Sequence, residues 1–466
     1  GTSLAGQCVG EGIIVDTSKY FTRILAFDER NKTVRVEPGV VRDELNEFLK
    51  PFGLFFGPNT STSNRCMMGG MVGNNSSGTT SIQYGVTRDK VVAMNTILSD
   101  GSDSFFGSLS AAAFKEKLKG NSLESKIYNL LFLELSKKET REEIEREFPK
   151  PGIHRRNSGY AIDAILDNEV FSDSSTPINV SKLLCGSEGT LAFTTDITLS
   201  LDELPPKYNI LVAAHFSSIQ ESLEAVVIAM EHNLYTCELM DKTILDCTKN
   251  NREQLLNRFF VQGDPEAILM LEIASDDAGK TAKLAEKLVA DLKAHNFGYA
   301  YPILEGKNIE KASTLRKAGL GLLGNIVGDR KAVACIEDTA VAVSDLPQYI
   351  AEFTAMMKQY KQEAVYYAHA GAGELHLRPI LNLKKEEDLH LFREITTNVA
   401  QLVKKYKGSM SGEHGDGIVR SEFLTLMLGK KNVELMRKIK TVFDPQQIFN
   451  PGKIIDPWPM DTSLRY

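Results

Sequence analysis

The stretch "GPNTSTSNRCMMGGMVGNNSSGTTSIQYG", residues 57–85, constrains this chain more than any other. It is dense in glycine, asparagine, serine and threonine, which compete with regular backbone pairing and favour turns. Glycine removes side-chain bulk and admits positive φ, so backbone can approach a large ligand closely. Exposed N–H groups in such turns cradle anionic groups such as phosphates. "GTSLAG" (1–6) and "GSEGTL" (186–191) share this chemistry. Taken singly, each is an ordinary surface loop. Neither GxGxxG after a first strand nor GxxxxGK[ST] occurs, so neither a dinucleotide-binding βαβ unit nor a P-loop is indicated.

Around these loops the chain reads as an α+β protein. At 466 residues it is too long for one core, and two or three domains are expected. "GIIVD" (12–16) reads as a strand, and "RILAF" and "TVRVE" around "DERNK" as a hairpin. "VVRDELNEFLKPFG" has helical spacing ended by Pro51 and Gly53, and residues 113–148 are charged and helical. "LLCGSEGTLAFTTDITLSL" (183–201) reads as strand, turn, strand. After "PPK" (205–207) strands and helices alternate: "NILVAAHF", "SIQESLEAVVIAMEHN", "AILMLEIAS", "AGKTAKLAEKLVADLKAH". This rhythm predicts an open sandwich with helices on one face of a sheet. The tail 421–443 is helical. No internal repeat or low-complexity tract is present.

Charge and cysteines exclude several classes. Fifty-four basic against 61 acidic residues leave −7, with a pI near 5.8, and no basic run interleaves with aromatics, so nucleic acid is not the partner. Six scattered cysteines without a CxxC exclude a ferredoxin-type cluster or cysteine zinc site in this stretch and point to a reducing compartment. No apolar run approaches the ~18 residues of a spanning helix. The expectation is a cytoplasmic protein, at most peripheral to a membrane.

"YYAHAGAGELHLRP" (366–379) sets His369 and His376 around a glycine-rich turn, and "SGEHGDG" sets Glu413 beside His414. The glycines disfavour a helix, so two strands joined by "GAGE" would bring both imidazoles to one mouth. Two neutral imidazoles and a carboxylate suit a zinc-type site with open positions; manganese, iron, or hydrogen-bonded strand histidines without a metal are the alternatives. His154, His215, His232, His295 and His390 carry no pattern and read as structural.

"GTSLAG", "GPNTSTSNRCMMGGMVGNNSSG", "YGVTRD", "GSEGTL", "SGEHGDG" and "NPGKI" follow one another in this order. Through them nearly the whole chain resembles the FAD-linked oxidases of the D-lactate dehydrogenase, glycolate oxidase and D-2-hydroxyglutarate dehydrogenase group. It is most similar to the large bacterial D-2-hydroxyglutarate dehydrogenase-like members, in which an iron–sulfur region follows the flavin half. The resemblance implies an α+β FAD-binding domain of the vanillyl-alcohol-oxidase/PCMH type over 1–204, a substrate-binding cap over 205–415, and a C-terminal segment, 416–466, returning to the FAD domain. In such members an α+β stretch precedes "GTS". This chain begins inside that motif, so a fragment is expected, with weakened FAD binding and an exposed sheet edge that invites a homodimer.

By motif, the resemblance implies Gly1, Thr2, Ser3 and Gly6 at the FAD pyrophosphate. Pro58, Thr60, Gly69, Gly70, Asn74, Gly78 and Gly85 would line the flavin, joined by Gly186, Glu188, Gly189 and Thr190, with Asn450 near the ring. No histidine lies in these loops, so FAD would be non-covalent. His369, His376 and Glu413 would hold a divalent metal, zinc by preference. A D-2-hydroxy acid would lose its hydroxyl proton to His414, whose side chain titrates near neutrality, and a hydride to FAD. Arg316 would bind the carboxylate. Arg378 replaces a commoner asparagine and, with Lys331, would favour a diacid such as 2-hydroxyglutarate. D-lactate or glycolate oxidation, or a non-catalytic flavin-fold subunit, are the alternatives. The electron acceptor or iron–sulfur region would lie outside this chain.

Overall fold

The computed structural model describes residues 2–249, 251–462 and 464. Two antiparallel sheets organise it. The first has the order Ile24–Asp28, Thr33–Val36, Phe193–Ser200, Val91–Ile97, Asp103–Phe106. Its opening hairpin is the expected one, with Asp28 opposite Thr33 and Phe27 opposite Val34. Val34 and Val36 are buried while Arg35 between them faces solvent, the period-2 alternation of a half-buried strand. Helix Arg42–Leu49 buries Leu45 and Leu49, then tightens to a single turn, Lys50–Phe52, that ends on left-handed Gly53. Helices Ala111–Lys117, Leu123–Leu135 and Lys138–Glu147 cover the charged stretch; Ser110 and Ser122 cap the first two by accepting from the N–H groups of Ala113 and Ser125.

Two local expectations fail. Residues 12–16 form no strand, and Ile13, Ile14 and Val15 are exposed. A β-branched run becomes a strand only where a neighbour completes its ladder, and none pairs with it here. Residues 183 and 184 belong to a short helix, Ser181–Leu184, rather than a strand. Leu183, Leu184 and Cys185 are all buried, and a brief apolar run buried all round carries no periodicity to separate the two.

The second sheet runs Ile303–Glu305, Tyr208–Phe216, Ala267–Ser275, Thr236–Asp241, Ala364–His369, Glu374–Leu381, with Lys331–Ala332 and Glu337–Ala340 both pairing the last of these. Helices cover both faces, not the one expected. Val212, Ala214, Leu269, Leu271, Leu239 and Ala368 join the large core with helices Ile219–Ala229, Ala278–Ala294 and Leu346–Gln359. Leu211, Ala213, Ile268, Met270, Met240 and Tyr367 form a second core with helices Lys242–Lys249 and Lys307–Leu322. That explains why "AILMLEIAS" is apolar without alternation.

The terminal helix Lys430–Phe443 packs on helices Leu123–Leu135 and Lys138–Glu147. Its Lys440 donates to the carbonyl of Thr190, and Asn450 beyond it donates to the carbonyls of Gln7 and Glu188. Among the described residues no helix is long and apolar enough to cross a membrane.

Candidate functional site

Strands Ala364–His369 and Glu374–Leu381 form the expected hairpin, turned by Ala370–Ala372 and left-handed Gly373. Tyr367 pairs with His376 and His369 with Glu374, so alternation places His369, His376 and Arg378 on one face, the face that carries helix Lys307–Leu322. The His369 and His376 ring centroids are 5.2 Å apart. Glu413 Oε1 lies 3.6 Å from His369 Nε2 and 3.7 Å from His376 Nε2, and 3.6 Å from His414 Nε2. A tetrahedral site with bonds of about 2.0 Å spaces its ligand atoms about 3.3 Å apart, so His369, His376 and Glu413 fit a small divalent cation. A second trio, Glu337, His376 and His414, shares one histidine with the first. Glu337 is clamped by Arg378, whereas Glu413 keeps Oε1 turned to both Nε2 atoms, so the donor geometry favours the first trio.

The loop that carries Glu413 and His414 is held from below. Asp338, fully buried, accepts from the N–H groups of Glu413 and His414 at 2.7 Å each and from Ser411 Oγ at 2.9 Å. Its other oxygen accepts from Arg420 Nη1 at 2.8 Å, and Arg420 also donates to the carbonyl of Gly415. The two flanking glycines act differently. Gly415 is left-handed at φ 77°, whereas Gly412 is needed for room, since a Cβ there would lie 2.7 Å from Glu374 Cδ.

Four arginines, Arg378 half-buried and the rest buried, face five buried carboxylates. Arg378 binds Glu337 through Nε at 2.6 Å and Nη2 at 2.5 Å. Arg316 pairs with Glu238 and stacks 4.2 Å over Tyr367, leaving a buried Nε without a partner. Arg155 Nη1 reaches Glu413 at 2.7 Å and Glu374 at 2.9 Å, and Arg420 takes Asp338. Counted formally, the carboxylates exceed the arginines by one, which a divalent cation, a proton on Glu374 or a charged His369 would offset. Burial foremost, with Glu413, pushes the Glu374 carboxyl well above its ordinary range. Burial alone would raise Glu413 as well, but His369 and Arg155 hold it well below that range. Burial would lower His369, yet Glu238 and Glu413 raise it to about 9. His376 is lowered by burial. Lys331 does not join this group: it is exposed, and its ammonium donates to the carbonyls of Gly324 and Ile326. His215, read as structural, is buried with Nδ1 on the Ala213 carbonyl and Nε2 accepting from the Gln262 N–H.

The glycine-rich stretch folds around a short helix, Met68–Asn74, whose Met68, Met71 and Val72 are buried. Space around Gly70 and Gly189 is open, and a Cβ on Gly73 would meet nothing nearer than the N of Gly189 at 4.0 Å. These three outline a cradle free of side chains, which fits a large flat cofactor approached by backbone. Asn74 ties the helix to the other group by donating to the Glu413 carbonyl at 2.7 Å. Arg155 ties it again, donating to Ser77 Oγ, Ser81 Oγ and the Gly78 carbonyl.

Other residues expected at a cofactor are spread around this cradle. Asn450 and Glu188 join the C-terminal segment to it, with Glu188 accepting from the N–H groups of Asp416 and Gly417. Thr2 Oγ1 is exposed, 3.3 Å from Thr62 Oγ1, and Ser3 is half-buried. The Pro58 carbonyl accepts from Arg42, and Thr60 Oγ1 lies 3.3 Å from Cys66 Sγ. Gly6, Gly69, Gly78, Gly85 and Gly186 are packed against Ile418, Pro38, Asn59, Asp89 and Arg88. Thr190 is buried with its hydroxyl on Tyr160. Gly1 lies outside the described residues.

Residues 1–102 match the FAD binding domain, and residues 205–454 match the C-terminal domain of FAD linked oxidases. The chain belongs to the FAD-linked oxidase family. It is 33% identical over 471 residues to D-2-hydroxyglutarate dehydrogenase of Haemophilus influenzae, covering 98% of this chain and 45% of that protein. With the Escherichia coli K12 protein of the same name identity is 33% over 480 residues, covering 100% and 46%. The chain thus spans about half the length of these curated relatives. Its fold is similar to that of substrate-bound p-cresol methylhydroxylase, with a TM-score of 0.59 at 11% identity, covering 95% of this chain and 79% of that one. The architecture is the α+β one expected, of the vanillyl-alcohol-oxidase/PCMH type.

Arg155, Glu238, Glu337, Asp338, Glu374 and Arg420 escaped the sequence reading. A signal existed for the carboxylates: "CELMD" and "CIEDTAV" each place acid inside an apolar strand, where burial demands a cationic partner. Nothing in the sequence says which arginine answers which acid.

Proposed function

We propose that this FAD-linked oxidase chain dehydrogenates a D-2-hydroxy acid to the 2-oxo acid, with a diacid of the 2-hydroxyglutarate kind as preferred substrate. The observation that carries this is the convergence of His369, His376, Glu413 and His414 on one point beside a glycine-lined cradle. His369, His376 and Glu413 would hold a divalent metal, zinc first, and Gly70, Gly73 and Gly189 would face FAD held without a covalent bond. When bound, FAD supplies a hydride acceptor and the metal a Lewis acid for hydroxyl and carboxylate oxygens.

The chain's own residues do the rest. His414 Nε2 takes the hydroxyl proton while C2 gives up its hydride; its side chain keeps 20% exposure, so the proton has a way out to solvent. Asp338 fixes the His414 backbone. The unpartnered Nε of Arg316 supports its role toward the shared carboxylate. Arg378 spends Nε and Nη2 on Glu337, leaving Nη1 for a second carboxylate. Lys331, exposed and with its ammonium on backbone carbonyls, takes no part in this set. The same reading divides the chain into an FAD domain (1–204), a cap (205–415) and a returning segment (416–466), in a cytoplasmic protein that passes electrons to an acceptor outside this chain. A screen of D-2-hydroxy acids with an artificial dye acceptor, run on the full-length protein, tests it. Turnover of 2-hydroxyglutarate or malate above lactate is expected; no turnover of any D-2-hydroxy acid overturns the proposal.

A further inference from the structure

Each candidate histidine ligand has its second ring nitrogen turned to a carboxylate, and each of those carboxylates is gripped by an arginine. His369 Nδ1 lies 2.9 Å from Glu238 Oε2, and Glu238 pairs with Arg316. His376 Nδ1 lies 3.5 Å from Glu337 Oε1, and Glu337 is held bidentately by Arg378. His376 Nδ1 is a buried nitrogen that makes no hydrogen bond in this structure, and Glu337 is the carboxylate it faces. The two carboxylates come from strands on opposite sides of the hairpin, Thr236–Asp241 and Glu337–Ala340. They therefore address the two rings from two directions, while both Nε2 atoms turn inward to Glu413 Oε1.

We propose that Glu238 and Glu337 are positioning residues for the divalent cation. Each accepts an Nδ1–H and so holds its histidine in the tautomer whose Nε2 is free to coordinate, and Arg316 and Arg378 hold the carboxylates in place. A histidine ligand needs its other nitrogen hydrogen-bonded to fix ring orientation and raise basicity, and losing that partner costs about 10–100-fold in metal affinity. The guanidinium contacts hold each glutamate in place beside its histidine. The arginines thus serve the metal through two intermediates, independently of any contact with substrate.

The inference rests on the metal reading above, and one experiment separates the two. Zinc affinity is measured by competition with a chromophoric chelator for the unaltered protein and for Glu238→Gln, Glu337→Gln and Arg378→Gln, with metal content read by elemental analysis. The expected result is a dissociation constant raised about 10–100-fold in both glutamate variants and by a smaller factor in Arg378→Gln. If the unaltered protein binds no divalent metal, the metal reading falls and this inference with it. If it binds zinc and the glutamate variants bind equally well, only the positioning inference falls. A variant that does not fold is replaced by a direct measurement on the zinc-loaded unaltered protein, the nitrogen-15 spectrum of its eight histidines. Two ligating rings protonated at Nδ1 support the proposal, and ligation through Nδ1, or no ligating histidine, overturns it.

Discussion

Asp338→Asn should unlatch the loop that carries Glu413 and His414. The carboxylate is fully buried and has a full complement of donors: two backbone N–H groups and Ser411 on Oδ2, Arg420 on Oδ1. An asparagine has one oxygen to offer. Placed at Oδ2 it keeps three donors but sets its NH2 against Arg420 Nη1; placed the other way it sets NH2 against three donors. In both rotamers the Arg420 guanidinium loses its counter-charge in the interior, a loss of about 3–5 kcal/mol for a broken buried pair. Urea unfolding of the ligand-free chain, followed by circular dichroism and by the fluorescence of Trp458, its one tryptophan, reads the change. Adding Arg420→Met removes the stranded charge, so the double variant should cost less than the sum of the singles by at least about 1.5 kcal/mol. A single-variant loss below about 1 kcal/mol, or strict additivity, refutes the reasoning, because a buried pair that mattered would show both effects.

His414→Asn should leave cofactor and metal in place while slowing flavin reduction by roughly 10²-fold or more, read by rapid-mixing absorbance; an unchanged rate puts the base elsewhere. Gly415→Ala forces a side chain into left-handed backbone and against Glu188, so a stability loss of at least about 1–2 kcal/mol is expected by urea titration. Burial raises the Asp241 carboxyl from 3.8 to about 7, against the N–H groups of Tyr366 and Ile244, which pull it down. A folded-state value above the unfolded one means its stabilising effect is complete below about pH 4 and is lost as pH rises through 7, a swing of about 4 kcal/mol. Asp241→Asn should flatten the dependence of stability on pH between 4 and 8, and an unaltered slope rules this group out as its source.

Much of the fold was legible because period and turn chemistry are local properties. The hairpin at 24–36 followed from alternation around "DERNK", and helix Arg42–Leu49 from apolar spacing closed by Pro51 and Gly53. His369, His376, Glu413 and His414 stood out because glycines flank them, and the hairpin turn at Gly373 brings the first two together as the spacing implied. What failed depended on neighbours far along the chain. Residues 12–16 have strand composition and no strand to pair with, and "AILMLEIAS" cannot say how many of its faces are covered.

The sequence by itself determined the family, the α+β class and which titratable side chains stand beside glycine-rich turns, since these live in motifs and periodicities a few residues long. Only the tertiary structure decided how the charges pair. Arg378 was readable as a free cation on the His376 face, yet Glu337, 41 positions earlier, takes two of its donors. Arg155 reaches Glu413 across 258 positions, and Arg420 reaches Asp338 across 82. A buried carboxylate must find a cation, but a Coulomb interaction carries no sequence periodicity. Which arginine answers is settled by the packing that brings strand ends and loops within 3 Å.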